Sequence, residues 1–227
     1  MLTNLTMRPS PIDYHQTSDN RPIYIPQLDI YTSKPLACGN SKLSKNVLIF
    51  DLLAIYTCLN CSACAADCYA VKAQKQYPET WNKRWINTWL AAHDPEALMK
   101  MFHEQLSKTS KPLVRIHSSG DFISQEYVTL WTIIAKAHPE KTFYTYTKVD
   151  GLFDFKALET LPNVNIVKSL IGGKHRNFGD MTYCQSLIDT YGAHLCPYGV
   201  DQHTKPVHCG TDCTICMHHD KVVFLQH

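Results

Sequence analysis

Hydrophobic and polar positions along the chain follow two rhythms in alternation. Val47 to Tyr56 is a nearly continuous apolar run, broken only by Asp51, and suits a strand buried on both faces. From Tyr69 to Ser107 the rhythm is helical, with Trp81, Trp85, Ile86 and Trp89 at 3.6-type spacing. Asp94-Pro95-Glu96 reads as the cap and first turn of a second helix. The tryptophan stripe reads as core before it reads as a platform for stacked bases. Leu113 to His117 is a strand that breaks at Ser118-Ser119-Gly120-Asp121-Phe122. Ser124 to His138 carries Tyr127, Val128, Leu130, Trp131 and Ile134 on one helical face, and Pro139 closes it. Thr142 to Lys148 alternates aromatic residues with Thr, Asp154 to Leu161 is a short helix, and Val164 to Leu170 is a further strand.

Strand, helix, strand, helix, strand predicts a parallel sheet with right-handed crossovers. The fold class expected is α/β, a partial (β/α) barrel-like sheet with a Cys-rich metal-binding C-terminal appendage. Residues 1–35, with Pro9, Pro11, Pro22, Pro26 and Pro35, form an extended arm. Residues 36–180 form the α/β core that carries a cysteine cluster. Residues 181–227 form the Cys-rich tail, docked by the apolar run Val222 to Leu225.

Composition narrows the setting. The 227 residues are 44% hydrophobic, enough for a full core, and no stretch approaches the length of a membrane span. A formal charge of +2 is too mild to announce a nucleic-acid partner, although segregated charge leaves one open. Ten cysteines without an apolar leader favour a reducing cytoplasm and metal ligation over disulfides.

The cysteines carry the chemistry. Cys58, Cys61, Cys64 and Cys68 follow the spacing C-x2-C-x2-C-x3-C, that of iron–sulfur ligands in bacterial ferredoxins, with Tyr69 where those have Pro. Disulfides between such close neighbours strain and gain little. The run follows directly on a strand, so it is expected at a strand's carboxyl end, where α/β folds build their sites. Cys209, Cys213 and Cys216, with Cys196 upstream, make a second set for a structural zinc or a second iron–sulfur cluster. Asp121 also lands just past a strand end, as a catalytic carboxylate or as the cap of the next helix. His117 reads as a buried, satisfied histidine. Gly39-Asn40-Ser41-Lys42 reads as a solvated turn before a phosphate cradle, and Cys38 as a small buried side chain.

Three segments together carry a resemblance: Gly39-Asn40-Ser41-Lys42, then Cys58 through Cys68-Tyr69-Ala70, then Arg115 through Phe122. With the closing Cys196-Pro197 and Cys209 to Cys216 they resemble the phage gene-product-88 family, whose name carries no activity. A second likeness is to radical S-adenosylmethionine (SAM) enzymes. That likeness implies a [4Fe–4S] cluster held by the first cysteines and SAM contacts from Ser119, Gly120 and Asp121, with Tyr69, Arg84 and Asn87 nearby. The spacing departs from the usual C-x3-C-x2-C, and four thiols on iron would leave SAM no open position.

Two other function classes stay open beside this enzyme of unknown small-molecule substrate. One is a base-exchange (7-deazaguanine) transglycosylase on DNA or RNA, with structural zinc, Asp121 catalytic and Asp150 or Asp154 as second carboxylate. The other is a metal-stapled nucleic-acid-binding module using Lys42, Lys45, Lys72, Lys75, Lys83 and Arg84, with Trp81 and Trp85 for stacking.

Overall fold

A computed structural model describes residues 33–61, 65, 68–171, 175–198 and 207–225. Most of the expected N-terminal arm, and Cys64, lie outside them. The elements run β1 (Ala37–Cys38), β2 (Val47–Phe50), α1 (Tyr69–Gln76), α2 (Pro78–His93), α3 (Pro95–Ser107), β3 (Leu113–Ile116), α4 (Gln125–Ala137), β4 (Thr142–Thr147), α5 (Lys156–Glu159) and β5 (Val164–Lys168). The carboxyl-terminal part adds β6 (Leu170–Ile171), β7 (His175–Arg176), β8 (Phe178–Gly179), α6 (Met181–Tyr191), β9 (His194–Leu195), α7 (Ile215–His218) and β10 (Val222–Leu225).

The main sheet has five strands in the order β1-β2-β3-β4-β5. Strands β2 to β5 are parallel, and β1 pairs antiparallel on the edge. Each new parallel strand is added on the same side of the last. Repeated right-handed crossovers in one direction place their helices on one face. That face buries Leu48, Phe50, Val114, Ile116, Phe143 and Ile166 beneath helical residues such as Leu90, Phe102 and Trp131. Trp131 is fully buried, with Phe102 and Phe50 at 4.8 and 5.4 Å between ring centroids.

The opposite face explains why these strands read as apolar runs. Val47, Ile49, Leu113, Tyr144 and Tyr146 pack against Cys209, Cys216 and Met217 of the tail. The tail carries its own three-stranded sheet, β8-β10-β9, in which β10 pairs parallel with both neighbours. The outcome is a mixed α/β fold built on an open, mainly parallel sheet. The α/β class is as expected, and among the described residues no barrel closes.

Two boundaries differ from the sequence reading for local reasons. The strand at 47 stops at Phe50, because Asp51 turns to bond the next strand's loop and Ile55 takes a left-handed φ of 72°. The helical stretch from Tyr69 divides at Tyr77, since Pro78 forces the residue before it into extended backbone (φ −122°, ψ 102°). Cys38 is exposed rather than buried. As expected, α3 opens on Asp94, whose side chain accepts from Ala97 N.

Candidate functional site

The carboxyl ends of β2, β3 and β4 are tied together by carboxylates. Asp51 leaves β2 and accepts hydrogen bonds from Ser118 N (2.7 Å), Ser119 N (2.9 Å) and Ser118 Oγ (2.7 Å). Its other oxygen meets the Arg84 guanidinium at 3.0 Å. Leu52 N donates to Ser119 O, and Ser119 Oγ donates to Leu52 O. Asp121 performs the same service one strand further on. Its oxygens accept from Phe122 N, Thr147 Oγ1 and Lys148 N, each at 2.8 Å.

Gly120 makes this joint possible. Its φ of +85° lies in the left-handed region, and a Cβ there would stand 2.6 Å from Thr57 Oγ1 and 2.7 Å from Leu52 Cβ. Gly120→Ala is expected to cost about 2–4 kcal/mol from strain and overpacking together. Urea denaturation measures it, and a loss below roughly 0.5 kcal/mol would show that the two loops part without resistance.

The cysteine loop hangs from this joint. Cys58 N donates to Ile55 O, Asn60 Nδ2 donates to Lys148 O at 3.0 Å, and the Tyr69 hydroxyl donates to Ser118 O. Cys68 stands at the N-cap of α1 without using its side chain as a cap. The loop that bears Cys58, Cys61 and Cys68 therefore lies beside Asp121, since both are bonded to the Lys148 backbone. Burial pushes the Cys58 thiol up to about 11, and the nearby Asp121, Cys61 and Cys68 push the same way. A metal would have to displace that proton.

Burial likewise raises Asp121 to about 6, against the lowering pull of its three hydrogen bonds. Ser124, not Asp121, caps α4, accepting from Tyr127 N. His117 takes a φ of 63°, is 3% exposed, and meets the Tyr127 hydroxyl through Nε2 at 2.9 Å.

Several residues proposed as ligand contacts are spent inside the protein. Arg84 is buried on Asp51, Ala70 O and Gln74 Oε1. Asn87 is fully buried and donates to Pro35 O and Asp51 O. Both oxygens of Asp121 are engaged, so its use in chemistry would break a strand-end tie. Trp81 is buried and Trp85 packs against the core, which takes away the expected stacking surface. Asp150 pairs with Lys168 at 3.3 Å, and Asp154 accepts from Lys156 N at the surface. In the Gly39 turn, Asn40 Oδ1 takes the N–H groups of Lys42 and Leu43, so they are not presented to a phosphate.

Asp51 is the residue that sequence reasoning passed over. The signal was a lone carboxylate interrupting a buried apolar run, which demands a partner.

None of the described cysteines forms a disulfide, so the donor chemistry of both sets suits a thiophilic metal. Among the described residues, no three His, Cys, Asp or Glu side chains are gathered tightly enough to hold an ion as they stand. No helix among them is long and apolar enough to cross a membrane.

Comparison with known proteins adds relatives from phages. The chain is 26% identical over 165 residues to the Gene 88 protein of Mycobacterium phage D29, covering 63% of this chain and 68% of that protein. It is 28% identical over 120 residues to the Gene 88 protein of Mycobacterium phage L5, covering 48% of this chain and half of that one. No solved structure matches. The profile of the family described as "Gene product 88" matches residues 30–199, which holds the first cysteine run and the strand-end joint but stops short of Cys209, Cys213 and Cys216. The chain belongs to the Gene product 88 family.

Proposed function

We propose that this phage-type protein is a radical-SAM-like enzyme with a [4Fe–4S] cluster held by three of Cys58, Cys61, Cys64 and Cys68, the fourth iron position being left to SAM. The observation that carries the reading is that the loop bearing Cys58, Cys61 and Cys68 follows β2 and the loop bearing Asp121 follows β3, at the carboxyl ends of paired parallel strands. These thiols come from one short loop, and separate bonds to Lys148 O and Ser118 O hold its two ends. Strands added one after another in one direction, with helices on one face, are what a partial (β/α) barrel also uses. When bound, such a cluster supplies one-electron transfer to SAM. Ser119, Gly120 and Asp121 then act by shaping the loop that faces the thiols, and Asp121 holds that loop to β4.

Iron and sulfide analysis of anaerobically prepared protein tests the reading. About four of each per chain are expected, lost together in Cys58→Ser/Cys61→Ser, with SAM altering the spectrum of the reduced cluster. A colourless protein holding only zinc would sink it and would suit the base-exchange reading instead.

A further inference from the structure

Four other cysteines, from separate elements, are neighbours on the sheet face opposite the helices, though not yet close enough as they stand to hold an ion. Cys209 is clamped beside β2, its N–H donating to Lys42 O at 3.1 Å and its carbonyl accepting from Ser44 N at 3.0 Å. Cys216 lies on α7, which β5 grips: Asn165 Nδ2 donates to Cys216 O and His219 O, both at 2.9 Å. Cys196 follows β9 and donates its N–H to Val223 O of β10 at 2.8 Å. Cys213 is bridged to Cys209, with Gly210 N donating to Cys213 O at 2.9 Å across a turn in which Gly210 has φ +90°. Cys216 links the group, packing with Cys209 in one apolar cluster and with Cys196 in the next.

A second observation is independent of the thiols. Ile49, Arg115, Tyr144 and Asn165 form one cross-strand row. The Arg115 guanidinium carbon stands 4.2 Å from the Tyr146 ring centroid and 5.4 Å from that of Tyr144, and Nε donates to His117 O at 3.2 Å. Arg115 is half-buried, and among the described residues no carboxylate pairs with it. A partly desolvated cation gains from a counter-charge, and neutral thiols supply none. Four thiolates on a dication carry a net charge of about −2. Arg115 and Lys42 supply the opposite charge, Lys42 standing 4.0 Å over the Tyr198 ring and facing Cys196 and Cys209.

We propose that Cys196, Cys209, Cys213 and Cys216 bind one zinc ion that staples the carboxyl-terminal segment to the sheet, with Arg115 as its charge-compensating partner. The ion draws together thiols that the backbone has already made neighbours. This site stands apart from the cluster proposed at Cys58 to Cys68, and neither depends on the other.

The test is zinc content and affinity of the full chain. One zinc per chain is expected, kept in Cys58→Ser/Cys61→Ser and lost in Cys209→Ser/Cys213→Ser. Cobalt exchanged into the wild-type protein is expected to show the intense visible bands of a tetrahedral thiolate site. Arg115→Met is expected to weaken zinc about 10- to 100-fold in chelator competition, the range for a group that supports ligands, with Arg115→Lys recovering most of it. Wild-type protein free of zinc and unable to take cobalt overturns the proposal. So does zinc retained by the Cys209/Cys213 variant, iron in place of zinc at these thiols, or an unchanged affinity in Arg115→Met.

Discussion

Asp51→Ala is expected to remove about 3–5 kcal/mol of stability, the cost of breaking a buried charge pair by deleting one partner. The Asp51 carboxylate is 15% exposed and the Arg84 side chain 5%, so solvent screens the pair little. Deletion strands the Arg84 cation on Ala70 O and Gln74 Oε1, and orphans the N–H groups of Ser118 and Ser119. Asp51→Asn keeps an oxygen in the place of Oδ1, to which both N–H groups donate, and is expected to recover part of the loss. Arg84→Met leaves the carboxylate its serine donors and is expected to cost less than Asp51→Ala. Urea unfolding of the three variants gives the ranking. Equal losses in Asp51→Ala and Asp51→Asn would show that charge pairing, not the serine bonds, holds the joint.

The same substitution reaches the cysteine loop. Leu52 and Ser119 exchange backbone and side-chain bonds directly beside Asp51, and Thr57 packs against Gly120. Loosening Asp51 therefore frees the stem from which Cys58 and Cys61 hang. For the cluster proposed at these thiols, the expected companion result is faster loss of iron from Asp51→Ala than from the wild type, read at a denaturant concentration where both remain folded.

The parallel sheet was legible because apolar runs and amphipathic helices alternate, and the strands at 113, 142 and 164 fall where periodicity puts them. The placement of the first cysteines beside Asp121 was legible for the same reason: loops after parallel strands emerge on one edge. What sequence could not show was which polar side chains that edge consumes. Arg84 and Asn87 share a helix face that points at the loop, a pattern common to ligand contacts and to buried ties, and only their partners tell them apart. Docking of the tail was legible in Val222, which packs with Val167 of β5, but its role as a cover over the sheet was not. Its strands of two to four residues are too short for any rhythm, and their pairing is long-range, so the cover over Tyr144 and Arg115 left no periodic trace.

Two buried groups on this edge pull stability in opposite directions with pH, and separating them gives the second large effect. Burial, aided by Arg115, lowers His117 to about 3 from its ordinary 6.5. Below pH 6.5 the unfolded chain takes up a proton that the folded chain refuses, so stability falls as pH drops toward 3. Asp121 is raised from 3.8 to about 6, so between those values the folded chain holds a proton that the unfolded chain lacks, and stability rises as pH drops. Each contributes a slope of about 1.4 kcal/mol per pH unit, with opposite sign, and from pH 6 to pH 4 they nearly cancel. His117→Asn keeps a residue that tolerates the left-handed backbone and leaves Asp121 alone, so this variant is expected to gain roughly 2–3 kcal/mol from pH 6 to pH 4 relative to the wild type. Asp121→Asn leaves His117 alone and is expected to lose a similar amount over the same window. The readout is the pH slope of urea unfolding, which is independent of what each substitution costs at neutral pH. Parallel slopes in all three proteins would mean that neither group changes its protonation on unfolding. A gain in Asp121→Asn would reverse the assignment of sign to the two residues.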